Sequence, residues 1–342
     1  MSANRPGRAA RRARCDHGTE RGAALLAAML TVALVATFAA AALWQQWRSI
    51  EVETAERARV QASWVLTGAL DWARLVLRED AKSGGADHLG EPWAVPLQEA
   101  RLSSFLAADR NNSADTGPAD VLDAFLSGQI VDLQSRLNIT NLVNNGKISA
   151  PDLRSFARLF DQLDLPQPQL DQLAENLRIA SDTSPANMSN LQAPLLPQRV
   201  DQLVWLGLPA PTLAALQPFI TILPARTPVN LNTASAEVIY ATVDGLSMAD
   251  AQRLVSARER APFRSINDAR VAVGGSQATF ADGQVNVSVA TRFFEVHSQL
   301  RLDQLVVEEH AILLRDGLDV RVLQREHEAP DTTAGSADAA KR

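Results

Sequence analysis

The sequence predicts an α+β protein in which one long N-terminal helix carries an antiparallel sheet, and a large helical segment interrupts that sheet. Three observations support this class. An apolar run begins at Ala23 and continues as an amphipathic pattern. Apolar residues recur at helical spacing from Leu153 to Leu177 and again after residue 200. From residue 283 onward, apolar and polar residues alternate, which is the period of a half-buried strand.

The apolar segment 23–47 contains no charged residue. As a helix, 22 residues rise about 33 Å, enough to span the hydrocarbon core of a bilayer. The preceding residues 1–22 carry six Arg and two acidic residues, and such a positive flank stays in the cytoplasm. We therefore expect a single-pass membrane helix with the remaining chain on the far side. A cleaved secretory signal fits poorly, because the apolar run is too long.

Residues 48–85 continue the helical pattern, with apolar side chains spaced among charges. We expect one helix from about Ala23 to Asp80, whose amphipathic second half packs one face on a globular head. Pro92 and Pro96 favour an extended path after it. Trp93, between the two prolines, is predicted as a core anchor joining head and stem.

Composition excludes several classes of function. The 342 residues are 46% hydrophobic, with a net charge of −6. Without residues 1–22 the chain has 27 basic and 37 acidic residues, a net charge of −10, whereas nucleic-acid binders usually lean basic. The only cysteine is Cys15, so a chain without the leader can form no disulfide and use no thiol nucleophile.

Changes of pattern along the chain divide it into seven segments. They are a leader (1–22), a transmembrane helix (23–47), a stem helix (48–85), a first part of the head (86–136), a helical insertion (137–282), a second part of the head (283–328) and a tail (329–342). We expect the tail to be disordered because it is polar and rich in small residues. Residues 109–120 are expected to form a solvated loop, since their spacing does not match a calcium-binding hand.

Two similar Asn-containing segments, 137–141 and 229–233, mark the insertion. We expect each to begin a helical subunit, one over 137–180 and one over 200–282, separated by a Ser- and Pro-rich linker. The first segment is predicted as a strand running into a helix over 129–142. Asn232 or Thr233 is predicted to cap the helix that follows the second segment.

The second part of the head is predicted as antiparallel strands. Val285, Val287 and Val289 alternate with polar residues and begin the pattern, and the later strands follow to residue 323. The Asp316-Gly317 dipeptide favours a tight hairpin between the last two strands.

No sequence motif indicates catalysis. The chain contains no Gly-x-Gly-x-x-Gly, no phosphate-binding loop and no Gly-x-Ser-x-Gly, so we expect no enzymatic activity. Four histidines, at 88, 297, 310 and 327, have no metal-ligand spacing to one another or to a carboxylate cluster. His297 and His310 are therefore interpreted as surface or edge residues of strands.

With these segments in hand, the chain resembles the K-type minor pseudopilins of type II secretion systems, the general secretion protein K family. The resemblance begins at Gly22, which ends the charged leader before the apolar helix. Pilin-like proteins usually carry Glu at the fifth mature position, here Ala27, and the K type typically lacks it. The remaining matching segments are 87–97 with Glu91-Pro92-Trp93-Ala94, 132–142, 229–234, 258–268 with Pro262-Phe263-Arg264-Ser265, and 293–296.

The resemblance implies a pilin-like head, interrupted by an all-α insertion of the SAM-like or helix-hairpin-helix-like kind. It implies that a prepilin peptidase cuts between Gly22 and Ala23, and that the new N-terminus is methylated. The implied place is the tip of the periplasmic pseudopilus, where the subunit nucleates filament assembly for protein export across the outer membrane.

The resemblance also implies partners and location. The partners are other minor pseudopilins bound through the stem helix, the prepilin peptidase, the inner-membrane secretion platform and secreted proteins, with no nucleic acid expected. The chain would sit in the inner membrane, with its N-terminus cytoplasmic and its head periplasmic. Some family members bind calcium through an acidic stretch, but here residues 177–190 offer only Asp182. No cofactor and no metal ligand are therefore assigned.

A second hypothesis comes from a different class. Residues 230–268 also resemble the helix-hairpin-helix unit of membrane-tethered DNA-uptake receptors, in which a Gly-hydrophobic-Gly turn presents amide groups to phosphates. Here Gly245-Leu246-Ser247 lacks the second glycine, and Asp244 and Asp250 flank the turn. The acidic net charge further opposes phosphate binding.

Overall fold

The computed structural model describes residues 20–102, 124–188, 192–274, 286–302 and 305–328. The loop predicted over 109–120, the tail 329–342 and the leader up to residue 19 lie outside the described residues. The chain divides into two compact units, residues 1–61 and 62–342. The first helix, α1 (Glu20–Ser83), runs through both. It begins and ends within three residues of the predicted bounds, 23 and 80.

The second unit combines one large sheet with a helical body. Its strands are β1 (Leu97–Arg101), β2 (Ala124–Asp132), β3 (Leu137–Asn138), β4 (Val143–Asn144), β5 (Lys147–Ile148), β6 (Ile220–Thr221), β7 (Val229–Asn230), β8 (Val287–Ser288), β9 (Phe293–Leu302), β10 (Leu305–Asp316) and β11 (Asp319–Glu328). Its further helices are α2 (Ala150–Gln162), α3 (Gln167–Ala180), α4 (Pro185–Met188), α5 (Ala210–Leu216), α6 (Ala236–Thr242), α7 (Met248–Arg260) and α8 (Ile266–Val273). Short 3₁₀ turns cover Pro92–Ala94, Leu133–Ser135, Ile139–Leu142, Val200–Leu206 and Gln217–Phe219.

The large sheet has the strand order β1-β2-β9-β10-β11, and all of its neighbours pair antiparallel. β2 and β9 are adjacent in the sheet although residues 133–292 separate them in sequence. The helical body is therefore an insertion that leaves and re-enters the sheet at the same end. This confirms the predicted α+β class with an interrupted antiparallel sheet.

The stem packs on one face of this sheet. Its buried residues Leu70, Ala73 and Leu77 share a core with Trp93 and Phe294. The indole of Trp93 meets the Phe294 ring edge-on at 5.2 Å between centroids, a favoured aromatic geometry. Burial of each large apolar side chain contributes about 1.5–3 kcal/mol. Trp93 thus joins head and stem, as its position between two prolines predicted.

The two halves of the insertion pack around one hydrophobic core. Leu159 and Leu173 come from the first half, and Ile239 and Leu254 come from the second. The insertion is consequently a single body, not the two helical subunits that the repeated Asn segments predicted.

Three local predictions are corrected by the structure. Residues 133–142 form short 3₁₀ turns around β3 in place of a helix. β8 (Val287–Ser288) pairs in parallel with β7 of the insertion, so the second part of the head begins at Phe293 and not at residue 283. Val287 belongs to an alternating apolar and polar pattern like that of a head strand, but its side chain packs in the insertion core. Val285 lies outside the described residues.

The third correction concerns a helix cap. Ser235, and neither Asn232 nor Thr233, caps α6 by accepting a hydrogen bond from the Val238 N–H. The amide of Asn232 is already engaged, because it both donates to and accepts from the backbone of Phe263. By contrast, the predicted hairpin after Asp316 is confirmed: β10 and β11 pair from Asp316 and Asp319 outward. Gly317 takes a φ of 59° there, which costs glycine little.

Candidate functional site: the anchor helix, the stem and the insertion junction

The N-terminal part of α1 has the chemistry of a membrane anchor. Within the described part of the chain, it is the one helix long and apolar enough to cross a bilayer, with a mean hydropathy of 2.3 in its apolar window. Its two threonine hydroxyls donate to carbonyls three residues earlier, Thr31 to Ala28 and Thr37 to Leu34, each at 2.8 Å. These polar groups are thus satisfied within the helix, as a hydrocarbon environment requires. We call residues 23–47 the anchor.

The sequence-predicted processing residues lie at the start of this helix. Gly22 falls inside α1, and Ala23 follows it as an exposed residue of the same helix. Ala27 is exposed on the helix surface. Its methyl group can neither accept a hydrogen bond nor neutralise a charge, so the position that holds Glu in most pilins offers no partner to an amine.

Residues 62–83, the part of the stem helix that belongs to the second unit, have two distinct faces. The buried face carries Leu66, Leu70 and Leu77 at intervals of one or two helical turns. The opposite face carries Trp64 and Leu75, eleven residues apart and hence on nearly the same side of the helix. Trp64 is 74% exposed and Leu75 is 51% exposed. A monomer that leaves a tryptophan so exposed on a helix presents a surface suited to a partner.

The junction between sheet and insertion is organised by Asp132, the last residue of β2. Its carboxylate is fully buried and accepts four hydrogen bonds from both sides of the junction. The donors are Thr233 Oγ1 (2.6 Å), Thr291 Oγ1 (2.6 Å), Gln134 N (2.7 Å) and Asn230 Nδ2 (2.9 Å). Burial raises the pKa of the Asp132 carboxyl above its ordinary value, against the lowering effect of these hydrogen bonds. The network therefore joins the end of β2, the insertion and the segment that leads back into β9.

A second polar cluster connects the end of the stem to the same region. Arg315 on β10 contacts Asp87 and lies 2.6 Å from Asp80 (Nη1 to Oδ2). The Thr291 N–H donates to Asp87 Oδ2 at 2.7 Å. Burial raises the pKa of the Asp87 carboxyl, although this hydrogen bond and Arg315 act to lower it. The stem's last turn is therefore held beside the residues through which the chain re-enters the sheet.

The two Asn segments of the insertion use the same chemistry. Asn138 accepts from the Thr140 N–H and Asn230 accepts from the Asn232 N–H, two residues on in each case. An amide then locks a distant backbone in each half: Asn141 exchanges two hydrogen bonds with Thr227, and Asn232 exchanges two with Phe263. These asparagines stabilise the insertion from within, which explains the repeated pattern without a ligand.

One cluster of titratable side chains was not predicted from the sequence. Glu295 and His297 lie two residues apart on β9, and His310 lies opposite His297 on β10. The rings of His297 and His310 are 4.2 Å apart and both lie beside Glu295, which corrects the prediction that these strand residues have no metal-ligand spacing to another histidine or a carboxylate. Burial raises the pKa of the Glu295 carboxyl, but the hydrogen bond from His297 and the charges of His297, Arg136 and His310 outweigh this and leave the pKa below its ordinary value.

Comparison with known families decides the assignment. Residues 135–225 and residues 229–290 match two successive family models, both described as type II secretion system (T2SS), protein K. Together they cover both halves of the insertion. These matches support a K-type minor pseudopilin of the type II secretion system.

The fold agrees with this family. The chain is similar to one chain in the crystal structure of the GspK-GspI-GspJ complex from the type 2 secretion system of enterotoxigenic Escherichia coli. The TM-score is 0.59 at 16% sequence identity, covering 80% of this chain and 98% of that chain. No curated protein sequence matches the chain.

The turn that suggested a DNA receptor is occupied by a carboxylate of the chain itself. Gly245 takes a φ of 74° between α6 and α7, as a hairpin glycine does. However, Asp250 accepts from the backbone N–H and the hydroxyl of Ser247, at 3.3 and 2.7 Å. The protein's own carboxylate thus occupies the start of α7, where a phosphate would bind. Arg158 is directed at the carbonyls of Val243 and Leu246, so it stabilises the turn.

Proposed function

We propose that this minor pseudopilin is the tip subunit of the periplasmic pseudopilus and that it nucleates filament assembly with other minor pseudopilins for export across the outer membrane. In this role it is a structural subunit and not an enzyme. The proposal combines three features: an anchor without Glu, an exposed stem face, and an insertion at one end of the sheet.

The position of the insertion relative to the stem carries the proposal. Arg325 on β11 donates to Thr67 at 2.8 Å, whereas Arg315 contacts Asp80, near the end of α1. The sheet therefore runs along the stem from Thr67 to Asp80. The insertion leaves it at the Asp80 end, because Asp132 and Thr291 lie beside Asp87. A body placed there obstructs the stacking of a further subunit beyond the end of the stem.

Ala27 supports the same placement. Inside a filament, a Glu at this position neutralises the buried α-amine of a neighbouring subunit, since an unpaired buried charge is costly. Ala27 cannot supply that charge. The subunit consequently fits where no further subunit requires the pairing, which is the tip.

The exposed stem face supplies the contact with sister subunits. Trp64 and Leu75 have the size and exposure of interface anchors. We further propose a single-pass inner-membrane location, with the N-terminus in the cytoplasm and the head in the periplasm. We also propose that the prepilin peptidase cuts after Gly22 and that the protein contacts the inner-membrane secretion platform. Secreted proteins would meet the insertion.

Co-purification of the full chain with its sister minor pseudopilins from detergent-solubilised membranes tests this role. Trp64→Asp places a charge on the stem face and is expected to abolish co-purification. Trp205→Asp is the matched control, because Trp205 is also exposed (48%) but lies on the insertion. Equal recovery of sister subunits with wild type and Trp64→Asp would refute assembly through the stem.

A further inference from the structure

The face of the sheet that points away from the stem carries a compact group of metal-ligating side chains. On β9, Phe294 and Val296 are buried in the core shared with the stem. Since successive residues of a strand point to opposite faces, Glu295 and His297 lie together on the other face. His310 is the direct partner of His297 across the β9–β10 ladder. Pairing of neighbouring strands therefore brings these three side chains to one point.

The distances suit a common ligand. Glu295 Oε2 lies 3.0 Å from His297 Nε2, and Glu295 Oε1 lies 4.0 Å from His310 Nδ1. One ligand atom from each residue lies within 4.8 Å of the others. A tetrahedral zinc ion with ligands at about 2.0–2.1 Å holds its donor atoms about 3.3 Å apart. Because the ligand atoms already converge to within 4.8 Å, small side-chain rotations bring them to that spacing.

The donor set selects the kind of ion. Two imidazole nitrogens and one carboxylate oxygen are the ligands that zinc and similar transition metals prefer. Calcium takes six to eight oxygen ligands, which this group cannot supply. Three protein ligands leave one coordination position for water.

Charged side chains around the group affect how tightly it can bind a cation. Glu295 and His310 line an open cleft of about 740 Å³ that also contains Arg136, Arg199, Asp201 and Glu326. Arg199 is paired with Asp201 and Glu326, at 2.6 and 3.1 Å. Arg136 is close enough to act on the Glu295 charge. A cation bound at Glu295 is repelled by Arg136, so removal of that arginine should strengthen binding.

We propose that Glu295, His297 and His310 form a binding site for a divalent transition-metal ion, with zinc as the best match. The bound ion would connect β9 to β10 and keep an open coordination position facing solvent. This site is independent of the place of the subunit in the filament.

Zinc affinity, measured by competition with a chromophoric chelator, tests the site. The sample is the full, untagged chain in detergent micelles, with Cys15→Ser in every variant because a leader thiol also binds zinc. We expect the parent chain to bind one zinc ion when zinc is present at micromolar concentration. His297→Ala and His310→Ala should each weaken binding at least about tenfold, and Arg136→Ala should strengthen it. His88→Ala and His327→Ala are controls: His327 lines the same cleft but pairs with Glu309.

Thermal unfolding provides a second measurement that is independent of the chelator. A metal that binds only the folded state raises the Tm. Zinc should raise the Tm of the parent chain and of His327→Ala but not that of Glu295→Gln, which preserves the shape of the side chain. Failure of the parent chain to bind micromolar zinc, or equal affinity in the parent, His297→Ala and His310→Ala, would overturn the proposal.

Discussion

Arg315 Nη1 lies 2.6 Å from Asp80 Oδ2, and the two side chains are only 10% and 9% exposed. Asp80 belongs to the last turns of α1, and Arg315 to a central strand of the sheet. The same guanidinium contacts Asp87, donates to the Thr291 carbonyl at 2.9 Å and lies over the Phe294 ring. One arginine therefore joins the stem, the sheet and the return from the insertion.

Replacement of this arginine should destabilise the protein strongly. Arg315→Met keeps the apolar length but leaves Asp80 and Asp87 without their cation, and breaking a buried ion pair costs about 3–5 kcal/mol. The free energy of unfolding of the full chain in detergent, measured by urea titration, checks this loss. Arg321→Ala is the control, because the Arg321–Asp319 pair is exposed and its loss should leave the urea midpoint unchanged. Equal midpoints for wild type and Arg315→Met would contradict the assignment of Arg315 as the buried link.

The buried Asp132 carboxyl should make stability depend on pH. Its pKa is raised above the ordinary 3.8, so the folded chain binds the proton more tightly than the unfolded chain does. The contribution of Asp132 to the unfolding free energy therefore falls as pH rises from 3.8 through the folded pKa, and is constant above it. Asp132→Asn removes this titration. The difference between the wild-type and Asp132→Asn unfolding free energies should change over that range and level off at higher pH.

Asp268 provides a control for that comparison. It is exposed, and backbone hydrogen bonding from Arg264, followed by the hydroxyl of Ser265, lowers the pKa of its carboxyl. Asp268→Asn should therefore give the opposite sign. The Asp268 carboxylate stabilises the folded wild type, and this stabilisation is lost as pH falls through the lowered pKa, whereas the variant has no such stabilisation to lose. A pH-independent difference for Asp132→Asn would show that its carboxyl is not perturbed by burial.

Processing at the start of α1 is a third expectation. Co-expression with a prepilin peptidase should yield a mature chain that begins at Ala23 and is methylated at its N-terminus. Intact mass and N-terminal sequencing measure this directly. Gly22→Val, which adds a branched side chain at the cleavage position, should retain the leader. A wild-type chain that keeps residues 1–22 under the same conditions would make α1 a plain membrane tether.

Apolar spacing predicted several parts of the fold that rest on burial. Helical periodicity predicted that the second half of α1 packs one face on the head, but not which face, because the apolar residues Trp64 and Leu75 are exposed whereas Leu66, Leu70 and Leu77 are buried. Trp93 was recognisable as a large apolar residue held between prolines. The period change after residue 283 predicted the second part of the sheet. It placed the beginning too early, because an alternating Val287 looks the same in sequence whether it joins the sheet or the insertion core.

Polar contacts between distant residues could not be predicted in the same way. Asp132 meets Asn230 and Thr291, which are 98 and 159 residues further along the chain. No local pattern encodes such a meeting. The pair of His297 and His310 is different, since Leu302 pairs with Leu305 across the β9–β10 hairpin. Recognition of that short connection would have placed the two histidines opposite each other.

The location of the insertion in assembled filaments tests the central claim most directly. Filaments formed with the major pseudopilin would be labelled with a gold-conjugated antibody against the insertion and viewed by electron microscopy. An antibody against the major pseudopilin serves as the control and should label the whole length. The tip assignment predicts insertion label at one end of each filament. Label distributed along the filaments would contradict it.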